Sequence, residues 1–133
     1  MSSLRNEIRV GAPVDAVWAL VSDSRSIARW FPSIATCTVD GNVRVCTLKR
    51  GGEVREQIVN VDHAIRRFQY RILEGIPVDR HLGTVDVIEI GADDSLVVYS
   101  TEAEPDGVGD AIGAAVRTAL ADLKSVLEVN GAE

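Results

Sequence analysis

From Asp106 to Val129 the sequence carries one long helical pattern, and it follows a stretch of chain patterned almost entirely as strands. Val108, Ile112, Ala115, Val116, Ala119, Leu120, Leu123, Val126 and Leu127 recur at steps of three and four, which sets them on one stripe of a helix about 30 Å or more in length. Such a stripe needs an apolar surface to cover, and the only large one this chain can build is a sheet made from the preceding strands. The resulting fold class is α+β, a curved antiparallel sheet gripping a terminal helix and enclosing a cavity. At 133 residues the chain fits a single domain spanning 1–133.

Leu4, Asn6, Ile8 and Val10 alternate with charged Arg5, Glu7 and Arg9, the pattern of a half-buried strand at an edge or early in a sheet. Pro13 then opens a short helix carrying Val14, Val17, Trp18, Leu20 and Val21. Asp23 and its neighbouring serines interrupt it, and Ile27, Ala28, Trp30 and Phe31 form a second short helix that Pro32 ends. Six further strands are predicted at 34–40, 43–48, 54–62, 68–73, 81–90 and 96–103, separated by turn signals such as Gly41-Asn42 and Gly51-Gly52. With no helix between them these strands pair antiparallel, giving a sheet of about seven.

A two-residue turn at Gly41-Asn42 sets Cys37 directly opposite Cys46, so their side chains can touch. The expected state is nevertheless two reduced thiols, because a cytoplasmic location is the default for a chain with no apolar leader near Met1. No stretch approaches the ~18 apolar residues that cross a membrane. With 20 acidic against 14 basic residues the net charge is -6, which disfavours nucleic acid as a partner. A homodimer is left open.

The motifs of nucleophile-elbow hydrolases, zinc proteases, phosphate-binding loops and paired-cysteine metal sites are all missing. Gly107, Gly109 and Gly113 fail the dinucleotide fingerprint because Ile112 stands where its last glycine belongs, and no strand comes after them. Neither a metal site nor a cofactor is expected. Of the two histidines, His63 sits in a polar bend and reads as a turn residue. His81 shares a strand face with Gly83, Val85 and Val87, so it either looks into a cavity or is a structural histidine bonded to a backbone carbonyl. Glu56 lies between Val54 and Ile58 on one face, and inward placement would demand a partner, for which Arg44 on the preceding strand is the candidate. A three-residue loop at Arg50 to Gly52 would set Arg44 opposite Ile58 and Cys46 opposite Glu56, making the two charges diagonal neighbours. Trp30, Phe68, Tyr70 and Tyr99 read as core aromatics, with a tyrosine hydroxyl able to orient a ligand. Aromatic residues are only 5% of the chain, so the space under a bent sheet need not be filled.

Taken in order, Ala12-Pro13-Val14-Asp15-Ala16-Val17-Trp18, the run Asp23 to Pro32, Asp40-Gly41 followed by Val43-Arg44, the stretch Gly52 to Ile58, Asp62, Tyr70-Arg71-Ile72 and Gly75-Ile76-Pro77 resemble the START-like (SRPBCC, Bet v 1-like) superfamily with its helix-grip fold. The likeness covers nearly the whole chain and is nearest to the polyketide cyclase/dehydrase-like and lipid-transport branch. It implies a cavity for hydrophobic or polycyclic small molecules, reached past loops at Lys49 to Gly52 and Gly75 to Asp79. It also aligns Glu56 and His81 with ligand-facing polar positions of plant hormone receptors in the superfamily, and Tyr99 with an inward aromatic. The gate motif of those receptors is replaced here by Leu48-Lys-Arg-Gly-Gly, so hormone sensing is not implied.

The function expected is binding of a hydrophobic small molecule, as carrier or sensor, with Trp30, Arg44, Glu56, Tyr70, His81, Val85, Tyr99, Ile112, Val116 and Leu120 around the ligand. The alternative is an aromatase/cyclase or dehydratase-type enzyme in the same cavity, with His81 or Glu56 moving a proton.

Overall fold

The computed structural model describes residues 1–131. In chain order it comprises β1 (Ser2–Val10), α1 (Val14–Ser22), a 3₁₀ turn (Ser24–Arg29), β2 (Ile34–Asp40), β3 (Val43–Leu48), β4 (Glu53–Asp62), β5 (Arg67–Glu74), β6 (Arg80–Gly91), β7 (Asp94–Glu104) and α2 (Asp106–Gly131). The seven strands form one sheet in the order β1-β7-β6-β5-β4-β3-β2, and every neighbouring pair is antiparallel. This is the helix-grip arrangement that the period-two strands and the terminal 3.6-residue stripe predict, with β1 and β2 at the edges.

The second helical segment differs from expectation. It begins at Ser24 and stops at Arg29 as a 3₁₀ turn, because Asp23 accepts hydrogen bonds from the backbone N–H of Arg25 (3.1 Å) and from Ser26 Oγ (2.8 Å) immediately after α1 ends. Trp30 has already left helical geometry and closes the turn through its N–H to the Ile27 carbonyl.

Register shifts within the β4–β5 ladder, between Arg55 and Glu56 and again between Ile58 and Asn60, mark bulges that bend the sheet. The concave face so formed carries Arg44 and Cys46, Val54 and Glu56, Phe68 and Tyr70, His81 and Val85, and Val97, Tyr99 and Thr101, all buried. Helix α2 lays Val116, Ala119, Leu120, Leu123 and Leu127 against this face, and each fully buried valine or leucine there contributes on the order of 1.5–3 kcal/mol. Two glycines let α2 approach β1 closely. A Cβ on Gly113 would stand 2.9 Å from Leu4 Cδ1, and one on Gly109 would stand 2.7 Å from Ser2 Cβ. Farther along the helix, Lys124 Nζ donates to the Arg9 carbonyl (2.9 Å), while the Gly11 N–H donates to Glu128 Oε2 (2.8 Å).

Cys37 and Cys46 face each other as the turn arithmetic requires, with Cα atoms 4.2 Å apart. The expectation of reduced thiols does not hold here: the two sulfurs are joined in a disulfide. The register brings the two side chains together on one face at the closest spacing of an antiparallel ladder, which puts the sulfurs within bonding reach.

Candidate functional site

A cavity of about 280 Å³ lies between the sheet and the first turns of α2. Its walls come from four places: Ile27, Phe31 and Ile34 from the 3₁₀ turn and the start of β2; Cys46, Leu48, Val54 and Glu56 from β3 and β4; Tyr70 and Ile72 from β5; and Val108, Ala111, Ile112 and Ala115 from α2. Arg50, Ile76 and Pro77 reach it from the two loops that the superfamily resemblance marks as gates. Those loops are braced by Gly75, whose φ is +99° and whose absent Cβ would fall 2.1 Å from the Glu53 carbonyl. The cavity is mostly apolar because strand alternation sends only one residue in two inward, and those are chiefly aliphatic.

Behind the apolar wall sits a buried polar cluster. Arg44 Nε donates to Glu56 Oε1 at 2.8 Å, and Arg44 Nη1 donates to the Ser24 carbonyl at 3.0 Å. The guanidinium lies over the rings of Phe68 (5.5 Å) and Tyr70 (5.3 Å), two cation–π contacts in a desolvated setting. Arg44 and Glu56 are directly opposed in the β3–β4 register, not diagonal. The loop spans Lys49 to Gly51, one residue earlier than Arg50 to Gly52, because the Leu48 N–H is already bonded to the Gly52 carbonyl. Cys46 Sγ stands 3.9 Å from Glu56 Oε1. Burial pushes the Glu56 carboxyl above the usual range, outweighing the opposing pull of Arg44. The hydroxyls of Tyr70 and Tyr99 are hydrogen-bonded to each other, and burial raises both pKa values.

Of the ten residues expected around a ligand, Glu56, Tyr70 and Ile112 border the cavity. Trp30, Arg44, Val85 and Tyr99 are buried beside or beneath it, and Val116 and Leu120 belong to the solid core where α2 meets the sheet. His81 stacks near Tyr70, with ring centroids 5.3 Å apart, but its Nδ1 accepts the Ile72 backbone N–H at 3.1 Å. It is thus held by a backbone amide and not by a carbonyl, and burial lowers its pKa to about 4. His63 is exposed in the β4–β5 turn, where its Nδ1 accepts from Trp18 Nε1 at 3.0 Å. Sequence reasoning missed Ile27, Phe31, Cys46, Val54, Ile72 and Val108 as lining residues. The signal was present for three of them, since Cys46, Val54 and Ile72 lie two positions from Arg44, Glu56 and Tyr70 on the same strand faces.

Among the described residues no three His, Cys, Asp or Glu side chains come together as a metal site requires. No described helix is long and apolar enough to cross a membrane.

Residues 1–128 match the family described as polyketide cyclase/dehydrase and lipid transport. Among solved structures, the chain is similar to a START superfamily protein from Mycobacterium smegmatis, with a TM-score of 0.81 and 14% identity over 95% of this chain and 97% of that one. It is similar to the di-domain ARO/CYC BexL, with a TM-score of 0.82 and 23% identity, covering 96% of this chain and 47% of BexL. It is also similar to norcoclaurine synthase from Thalictrum flavum in complex with dopamine and hydroxybenzaldehyde, with a TM-score of 0.74 and 21% identity over 97% of this chain and 87% of that one. At these identities the likeness is one of fold. Comparison with curated protein sequences gives no match.

Proposed function

This chain belongs to the polyketide cyclase/dehydrase and lipid-transport family, and on that premise we propose that it binds a hydrophobic, ring-containing small molecule in the cavity under α2, as a carrier or sensor. The observation that carries this reading is the makeup of the cavity wall. Aliphatic and aromatic side chains supply nearly all of it, and the few polar groups include Glu56, fixed in place by Arg44, and Tyr70, fixed by Tyr99. Apolar walls with a small number of held polar groups are the usual form of a small-molecule site, the polar groups setting orientation. The volume suits a skeleton of one or two rings, and the norcoclaurine synthase of like fold, seen with dopamine and hydroxybenzaldehyde, supports that size.

One observation favours the second reading, an aromatase/cyclase-type enzyme. Glu56 borders the cavity with its pKa raised by burial, which brings a carboxyl closer to the range in which it can give and take a proton near neutrality. His81 does not border that cavity, so the enzymatic reading rests on Glu56.

Saturable binding of 1-anilinonaphthalene-8-sulfonate, followed by fluorescence, tests the binding reading. Ala115→Phe, which fills the cavity from α2, is expected to weaken binding at least tenfold, about 1.4 kcal/mol or more, with the circular dichroism spectrum unchanged. Equal binding by that variant overturns the assignment of the cavity. Glu56→Gln separates the two readings: retained binding with lost turnover of an aryl polyketone thioester favours the enzyme, and absence of turnover in the native protein favours the carrier.

A further inference from the structure

The carboxyl of Glu56 is anchored through one oxygen only. Oε1 accepts from Arg44 Nε at 2.8 Å and stands 3.9 Å from Cys46 Sγ, whereas Oε2 has no hydrogen-bond partner among the described residues. The polar side-chain atoms that are sealed without a partner are Trp30 Nε1, Arg44 Nη2 and His81 Nε2, and Glu56 Oε2 is not one of them. The side chain keeps 8% of its surface accessible, and on the concave face the space it meets is the cavity it borders. A side chain more than nine-tenths buried thus presents one fixed, unpaired oxygen to that cavity.

The chemistry of the pair decides what this oxygen recognises. The charges of Arg44 and Glu56 answer each other, so a ligand ammonium or carboxylate brought there would lose its water with no counter-charge left to meet it. Arg44 occupies Oε1, so the proton that burial favours sits on Oε2 when the carboxyl takes one up. A hydroxyl pairs with Oε2 in both states, donating to the carboxylate and accepting from the acid, whereas an ether oxygen pairs only with the acid.

The opposite end of the cavity is cationic. Arg50, in the loop between β3 and β4, is the one cation that borders the cavity among the described residues, and it has no ion-pair partner among them. Glu56 is the one bordering carboxylate, and its charge is already met by Arg44. From Glu56 to Gly52, where the loop closes on Leu48, the chain rises roughly 13 Å at strand spacing. The wall over that distance is apolar, with Cys46, Leu48 and Val54 on the sheet facing Ile112 and Ala115 on α2.

We propose that the molecule held in this cavity is a hydroxyaryl carboxylate, an inference that rests on the binding reading above and gives its ligand a chemical class. The hydroxyl pairs with Glu56 Oε2, the ring lies against Leu48, Val54 and Ile112, and the carboxylate emerges beside Arg50. Glu56 selects the hydroxyl and Arg50 selects the anion.

Isothermal titration calorimetry with 4-hydroxycinnamate, 4-methoxycinnamate and methyl 4-hydroxycinnamate tests this. In the native protein the methoxy acid is expected to bind at least about tenfold more weakly than the hydroxy acid, because it leaves Oε2 unpaired. The ester is expected to bind about threefold more weakly, the smaller effect of a solvent-screened charge. Arg50→Gln should abolish the preference for acid over ester and keep the preference for hydroxyl. Arg44→Met/Glu56→Leu, which exchanges the buried pair for apolar side chains, should do the reverse. Equal binding of hydroxy and methoxy acids, equal binding of acid and ester, or either preference surviving its own variant overturns the proposal. Cinnamates that do not bind, where Ala115→Phe still weakens binding of 1-anilinonaphthalene-8-sulfonate, overturn the ligand class and leave the cavity assignment standing; loss of that Ala115→Phe effect overturns both.

Discussion

Replacing Arg44 by Met would remove the one cation that, among the described residues, pairs with the buried Glu56 carboxylate, and the cost can be worked from what each partner keeps. Glu56 has Arg44 as its one charged partner, so the substitution leaves an uncompensated buried charge, expected to cost about 3–5 kcal/mol at pH 7. The converse change, Glu56→Gln, leaves Arg44 with the Ser24 carbonyl and two aromatic faces, and should cost less. A carboxyl can escape by taking up a proton. In the native protein burial already raises the folded pKa of Glu56 above its unfolded value, and losing Arg44 raises it further. A group raised on folding contributes stability below its unfolded pKa and loses it as pH climbs through the folded value. The penalty in Arg44→Met should therefore shrink as pH falls from 7 toward 5, by up to about 1.4 kcal/mol per pH unit. The double replacement Arg44→Met/Glu56→Leu should return to within about 1–2 kcal/mol of the native protein, because well-packed apolar residues replace a buried pair at little cost. Urea unfolding at pH 5, 6 and 7, read as midpoint shifts at constant slope, measures all three. An Arg44→Met cost below about 1 kcal/mol, a cost independent of pH, or a double variant no more stable than Arg44→Met alone would refute the reasoning.

Three further outcomes are expected. Gly75→Ala should destabilise by about 1–3 kcal/mol in the same urea assay, since the residue has positive φ and its Cβ would overlap the Glu53 carbonyl; a neutral effect would mean the two loops at the cavity are not braced as described. His81, with its pKa lowered to about 4 by burial, binds a proton more readily unfolded than folded, so stability should fall as pH drops from 6.5 toward 4, by a total on the order of 3 kcal/mol. Histidine ring NMR checks this directly, because His81 should stay neutral at pH 5.5. Reduction of the Cys37–Cys46 disulfide, which closes a loop of sequence separation 9, should lower stability by about 2–3 kcal/mol, read as a lower melting temperature with a phosphine reductant and no change in the Cys37→Ser/Cys46→Ser variant.

Periodicity makes the main elements of the fold legible. The steps of Val108, Ile112, Val116, Leu120 and Leu123 place α2, and the alternation of 81–87 and 96–103 places the longest strands. The Gly41-Asn42 turn sets the β2–β3 register because a two-residue loop leaves one solution, whereas Gly51-Gly52 offers two glycines and more than one loop, and the observed loop lies one residue from the expected one. The site is legible only in part. Glu56, Tyr70 and Ile112 border the cavity, but Val116 and Leu120, on the same helical stripe as Ile112, are sealed in the core. A stripe says which side of a helix faces inward and nothing about how far away the sheet is at each turn. Gly113 shows the same limit: its missing side chain serves close contact with Leu4 on β1, which no helical spacing reveals.

By itself the sequence determined the order of elements, the antiparallel sheet and the placement of Cys37 opposite Cys46, because each is set by local spacing along the chain; the inward face of the His81 strand and the state of the two thiols it left open. The tertiary structure alone decided where the sheet and α2 diverge enough to leave a cavity, that β5 and β6 part beyond Tyr70, and that His81 spends one nitrogen on Ile72 and keeps the other unpartnered. Those are matters of distance between segments far apart in sequence. They are set by bulges, close glycine contacts and the packing of the whole sheet, which no local pattern encodes.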